Sequence, residues 1–262
     1  MMSLYSFFSA IELGLIYSLM VLGLFISYRI LNIPDLTVDG SFTLGAAVAV
    51  VATLAGHPVL GLLLAALAGA AAGFVTALLQ TRMKIQPILA GIITMTALYS
   101  INLMVMGWSA NVSLLRDDTI FSLFEETGIG GAWHEALLAG MVTVLAGILL
   151  VLFLGTRLGL SIRATGDNID MVRASSINPT FTITVGLCIA NSLTALSGAM
   201  VGQYQNTADI NGGTGIVVIG LACLIIGETV LGRRSVIKGA IAAVIGSVIY
   251  RFIYAIVLYT KI

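Results

Sequence analysis

Too few charges are present in this sequence to cover a water-soluble globule. Asp, Glu, Lys and Arg make up 9% of the residues and apolar types 59%, with a mean hydropathy of +1.08. A soluble domain carries roughly 25% charged residues because its surface faces water. The expected solvent is therefore a bilayer. Histidine and cysteine are scarcer still, at two of each. Cys188 and Cys223 fall in apolar runs and read as buried thiols used as small hydrophobes. With so few nitrogen and sulfur ligands, no zinc site is expected. His134-Glu135 is followed by Ala136-Leu137-Leu138, so no His-Glu-x-x-His helix exists. None of Lys84, Lys238 and Lys261 follows the glycines of a phosphate-cradling loop, so this chain is expected to hold no nucleotide or other cofactor. No serine with a membrane-embedded histidine partner is recognisable, and an enzyme is not expected. Zero net charge gives no reason to expect a nucleic-acid partner. Met1 to Ala10 lacks Lys and Arg, so a cleavable secretory signal is not expected either.

What is abundant is long apolar runs, and runs of about 18 or more residues read as transmembrane helices. The fold class is an all-α polytopic bundle, one domain over residues 1–262. About eight spans are expected, near 10–28, 41–55, 59–79, 87–106, 136–154, 179–202, 215–230 and 236–259. The second is short for a full crossing and reads as a short or broken helix. Polar connections fall at 107–135 and 156–178.

Lys and Arg are enriched in cytoplasmic loops. Threading the spans puts Arg29, Arg82, Lys84, Arg157, Arg163, Arg173, Arg233, Arg234 and Lys238 on one side, with only Arg116 and Lys261 opposite. The first side is the expected cytoplasm, so segment 156–178 is cytoplasmic, loop 107–135 external, and both termini external. Asp117, Asp118, Glu125, Glu126 and Glu135 in the outer loop agree with that sidedness. A short echo links Asn32-Ile33-Pro34-Asp35-Leu36, after the first span, with Asn206-Thr207-Ala208-Asp209-Ile210, after the sixth. On opposite sides of the membrane, the two would belong to an inverted repeat or to chance.

Polar residues within this apolar frame are the candidate functional groups. Asn32, Pro34, Asp35, Asp39, Gly40 and Ser41 interrupt the chain between the first two spans. Irregular backbone at membrane depth is tolerated where it lines a cavity. A helix start pointing into a pathway would offer free N–H donors to an anion such as an α-carboxylate. The alternative is a plain loop with Asp39 and Ser41 as caps. Asn102 and Asn191 lie inside spans, as pathway residues or as glue between helices. Glu12 and Arg251 are charges within spans that a mutual pairing would explain, or else each reaches the interface. Gln203, Asn206, Asp209 and Asn211 line an external mouth or a hydrated loop. Gly69/Gly73 and Gly198/Gly202 have the spacing of close helix packing.

The cytoplasmic stretch from Gly159 to Pro179 is mixed in charge and forms a surface helix, capped at its start by Asp167 or Asn168, with Pro179 opening the next span. Either it docks on its own bundle or it inserts into a motor subunit. Here Arg163-Ala164-x-Gly166-x-Asn168, followed by Ala174-x-x-Ile177-Asn178, resembles the coupling segment of permeases from ABC importers of branched-chain amino acids. The segment from Asn32 to Ala46 resembles the same family's motif after the first helix. Ser176 departs from the pattern, since many relatives have Gly before the Ile.

With Pro34 and Asp35, the closest resemblance is to the branch in which a single permease works with a lipoprotein-like solute-binding protein. That resemblance implies a passive conduit for a small amino-acid-like solute, aromatic amino acids among the cargo. It also implies an inner-membrane location and assembly as two permeases with two ATPases, with ATP and Mg on the ATPase. Arg163, Ala164, Gly166, Asp167, Asn168 and Arg173 would then couple the chain to its motor. The alternative is a secondary transporter or channel acting alone.

Overall fold

The computed structural model describes residues 4–114, 118–126, 128, 131–232 and 235–260. Arg116, Asp117, Arg233, Arg234 and Lys261, used above for sidedness, lie outside the described residues. Eleven α-helices are present among the described residues. Helix α1 (Leu4–Leu24) continues into a π-helical stretch, Phe25–Ile30. It is followed by α2 (Thr37–Leu54), α3 (Pro58–Thr81), α4 (Pro87–Val105), β1 (Asn111–Ser113) and α5 (Ile120–Glu126). Then come α6 (His134–Gly155), α7 (Arg157–Asp167), α8 (Ile169–Ala174) and α9 (Pro179–Tyr204). The chain ends with β2 (Thr207–Asp209), α10 (Ile216–Leu231) and α11 (Val236–Thr260).

Local chemistry places the helix starts. Pro58, Pro87 and Pro179 each sit in the first turn of a helix, where a missing N–H costs nothing. Asn178 accepts from Thr180 N to cap α9, and Asn168 accepts from Asp170 N and Met171 N to cap α8. Seven helices are long and apolar enough to cross a membrane. The expected seventh span is α10, only 16 residues long and short of a full crossing at ~1.5 Å per residue. The second helix is not broken. It runs unbroken for 18 residues and starts at Thr37, four residues before the expected Ser41. The single surface helix expected between residues 156 and 178 is instead two, α7 and α8, joined at Asn168.

Helix α9 is the central post, with α1, α2 and α3 packed around it. On the far side of α1 lie α6, α10 and α11, while α4 covers α2. Ile16, Leu19, Met20, Leu22 and Ile26 of the first helix are wholly enclosed. The outer helices instead expose large apolar side chains such as Leu67, Val144 and Leu152. In water that surface would aggregate, whereas in a bilayer it is the solvated face. The sheet is one short antiparallel pair, with Asn111, Val112 and Ser113 opposite Asp209, Ala208 and Thr207.

Close helix packing rests on small residues. A Cβ on Gly69 or Gly73 would strike the α9 backbone at Asn191 or Leu187, and one on Gly198 would strike Phe42 O. The spacings read from the sequence are therefore packing sites. Gly45 is a further case outside that set, since its missing Cβ leaves room for the carbonyl of Ala195. Gly45→Ala is expected to cost about 1–3 kcal/mol by forcing α2 off α9. Thermal unfolding in detergent measures this, with Gly147→Ala as control, because its nearest neighbour, Leu22 Cδ1, is 4.0 Å away. Equal midpoints for the two variants would contradict the packing described.

Candidate functional site

Two irregular segments re-enter the bundle. After Ile30 the chain turns at Asn32, whose φ is +57°, and climbs to the start of α2. After Tyr204 it turns at Asn206, φ +55°, and descends along α2. Ala208 and Ile210 pack with Ala46, Ala47 and Val50, and Gly213 then meets Asp39 O and Thr43. In each segment the Asp three residues after the turn accepts a hydrogen bond from the backbone N–H two residues on. Thr37 N donates to Asp35 Oδ1 at 2.9 Å and Asn211 N to Asp209 Oδ1 at 2.7 Å.

The first segment ends in a buried polar junction. Asn191 is the thirteenth residue of α9, so it stands ~18 Å along that helix. Its Nδ2 donates to Asp35 Oδ2 at 2.7 Å and to Leu187 O at 3.1 Å, and its Oδ1 accepts from Ser41 Oγ at 2.7 Å. Thr37 Oγ1 and Thr76 Oγ1 are 2.8 Å apart below it. Asp35, Ser41 and Asn191 are all buried. A carboxylate in an apolar interior requires such partners. Asn32 and Pro34 do not join this network; Asn32 lies at the basic end of the bundle.

The second segment ends on Asp39. Its Oδ2 accepts from Gly215 N and its Oδ1 from Val217 N, both at 2.9 Å, so a side chain of α2 caps α10 halfway through the bundle. The second helix was expected to offer free N–H donors to an anion, and its first N–H is already engaged. Thr37 N is taken by Asp35, and the N-terminus of α10 is taken by Asp39.

Where this segment crosses α2 and α4 there is a cavity of about 240 Å³. Asp39, Gly40 and Thr43 form one wall, Met95, Thr96, Tyr99 and Asn102 the second, and Ile210, Gly213 and Thr214 the floor. Asn102 Nδ2 donates to Gly40 O at 3.3 Å, while its Oδ1 has no partner. Sequence reasoning found Asp39, Gly40 and Asn102 but missed Thr96 and Tyr99. The signal was available, because Thr96, Tyr99 and Asn102 recur every third residue on a mostly apolar helix.

Other expectations fare unevenly. Gln203 is not at a mouth: it is buried, donating through Nε2 to Pro58 O and accepting from Ile120 N. Asn206, Asp209 and Asn211 are exposed at that end. Glu12 and Arg251 form no ion pair among the described residues. Tyr204 Oη donates to Glu12 Oε2 at 2.8 Å, and the Arg251 guanidinium lies 3.8 Å over the Tyr17 ring.

At the basic end, Gly166 fits against Ile30 O, Thr165 Oγ1 meets Thr182 Oγ1 at 2.8 Å, and Ile162 and Val172 are buried, which pins α7 and α8 to the bundle. Leu160, Ile169 and Met171 point outward, and Met171 is 67% exposed. Arg163 and Asp167 border a cavity of about 250 Å³ beside the Arg29–Glu228 ion pair (3.0 Å). Gly166 and Arg173 border a second, of about 450 Å³, with Asn32 and Lys84. Asn168 is an exposed cap, and Ala164 is half-buried on α7.

A family model described as the permease component of branched-chain amino acid transport systems matches residues 6–262. The chain is 39% identical over 245 residues to a tyrosine transport system permease protein of Clostridioides difficile (strain R20291), covering 93% of this chain and 80% of that one. It is 33% identical over 258 residues to an uncharacterized protein of Rickettsia prowazekii (strain Madrid E), covering 97% and 89%.

Proposed function

This chain belongs to the family of permease components of branched-chain amino acid transport systems, and from that premise we propose that it is the membrane subunit of an ATP-driven importer for a small amino-acid-like solute. Tyrosine is the first cargo to try, because a relative at 39% identity carries that name. ATP and Mg belong to a separate ATPase, the solute arrives on an external binding protein, and two copies of the chain pair with two ATPases. The basic end faces the cytoplasm of a bacterial inner membrane and both termini face outward. The matching turns at Asn32 and Asn206 support reading α1–α3 and α9–α11 as an inverted repeat.

The observation that carries the coupling half of this reading is the outward apolar face of α7 and α8. Leu160, Ile169 and Met171 stand there among Arg157, Arg163, Asp167 and Arg173, in a segment with too many charges to sit in lipid. An exposed apolar strip with a polar rim suits a protein partner. The feature that favours a stand-alone, ion-coupled carrier is the pair of acids Asp35 and Asp39 inside the bundle. Their carboxylates are engaged by Asn191 and by backbone N–H groups, and among the described residues neither belongs to a cluster of acidic, His or Cys side chains that would hold a metal ion for coupling.

Arg163→Ala with Asp167→Ala is expected to leave the chain in the membrane and lower uptake by about tenfold or more, the scale of one interface hot spot. Met171→Glu is expected to weaken co-purification of the ATPase. Normal uptake in the first variant and normal co-purification in the second would sink the coupling assignment.

A further inference from the structure

The chemistry of the cavity between α2, α4 and the 205–215 segment is one-sided. Its described walls carry a carboxylate and an unanswered amide oxygen but no cationic side chain, beside the hydroxyls of Tyr99 and Thr214. Asn102 is 1% exposed; one Nδ2 proton is donated to Gly40 O, and its Oδ1 has no partner among the described residues. An unmatched buried acceptor costs about 1–3 kcal/mol unless a ligand or water answers it. The hydroxyl protons of Thr43 and Thr96 are committed to Asp39 O and Ile92 O, so these side chains face the cavity with lone pairs. Asp39 adds a carboxylate, and no Lys, Arg or His is among the described residues lining the space. The start of α10 beside it is capped by Asp39, which takes the N–H groups of Gly215 and Val217.

A group that answers several acceptors at once must carry several N–H bonds, and a positive charge is favoured beside a carboxylate. We propose that this cavity binds the primary ammonium group of the transported solute, with Asn102 Oδ1 and Asp39 as its acceptors and Met95 and Tyr99 against the solute's apolar part. The volume, about 240 Å³, equals roughly eight water molecules at ~30 Å³ each and suits a single amino acid. Contact with Oδ1, which is buried in the structure, requires the Asn102 side chain to turn toward the cavity. The proposal rests on the transport reading above, and it places the selection on the amine and not on the carboxylate.

The test introduces Thr96→Cys in the full chain with Cys188→Ala and Cys223→Ala, reconstituted with its co-purifying subunits. Thr96 lines the cavity and bonds only within its own helix. The new thiol is labelled with 2-aminoethyl or 2-sulfonatoethyl methanethiosulfonate, reagents of similar size and opposite charge. The ammonium reagent is expected to react at least tenfold faster. Tyramine, which lacks a carboxylate, is expected to slow labelling, and 4-hydroxyphenylpropionate, which lacks an amine, is not. Adding Asn102→Leu is expected to shrink the protection by tyramine several-fold. The first two readouts leave Asn102 intact, so they stand even where that variant misfolds. Equal rates for the two reagents, or protection by the carboxylate compound alone, would overturn the proposal. ATP-driven uptake measured in parallel separates the two readings. Uptake without the charge preference defeats the amine site only, whereas the charge preference without uptake supports the amine site and defeats the importer.

Discussion

Asp39→Ala is expected to abolish uptake and to lower the unfolding midpoint sharply. The carboxylate accepts two backbone N–H groups from the first turn of α10, each bond charge-assisted and worth about 1.5–3 kcal/mol. Without it, both donors lie halfway through a membrane bundle with no acceptor. Water entering from the adjoining cavity offsets part of the loss, so the net cost is about 2–3 kcal/mol. The consequence for transport is geometric, because α10 starts at that cap and its last turn holds Glu228, the partner of Arg29. Asp39→Asn keeps one acceptor oxygen and is expected to fall between the wild type and Ala. Uptake assays and thermal unfolding in detergent measure both effects, and normal transport by Asp39→Ala would contradict the role given to the cap.

Asn191→Leu is expected to have the second-largest effect. It removes the donor to Asp35 Oδ2 and the acceptor of Ser41 Oγ together, leaving a buried carboxylate answered chiefly by Thr37. The expected loss is about 3 kcal/mol, the scale of one charge-assisted bond plus an orphaned hydroxyl. Asp35→Asn alone keeps an acceptor for Thr37 N, since the amide oxygen accepts as the carboxylate oxygen does. Adding Asp35→Asn to Asn191→Leu should therefore cost less than the two separate losses combined, because the charge that Asn191 answered is gone. Coupling of about 0.5–3 kcal/mol is expected from a double-mutant cycle of unfolding midpoints. Strict additivity would show that the two side chains do not meet.

The helices themselves were legible in the sequence because their signals are local. Pro87 and Pro179 mark two helix starts, Asn168 marks a cap, and apolar runs set the lengths. Asp35, Asp39, Ser41 and Asn191 were recognisable as out of place in an apolar frame, and the fold does bring them inside. Their partners were not recognisable, because nothing local links Asp39 to Gly215 and Val217, or Arg251 to Tyr17. The early start of α2 was missed because Asp35, not a residue next to the apolar run, caps it. Gln203 was misread for a related reason, since a polar side chain at a helix end can face water or, as here, bond backbone from two other elements. Asp39 misled most, because it was read as part of the turn before the second helix, whereas its carboxylate caps the start of α10 and stands beside the cavity.

The importer reading is tested most directly by a gentle detergent pull-down of this chain from its native membrane, with mass spectrometry of what accompanies it. The account predicts a nucleotide-binding protein at about one copy per permease. A chain recovered alone that still moved solute across liposomes without ATP would contradict it.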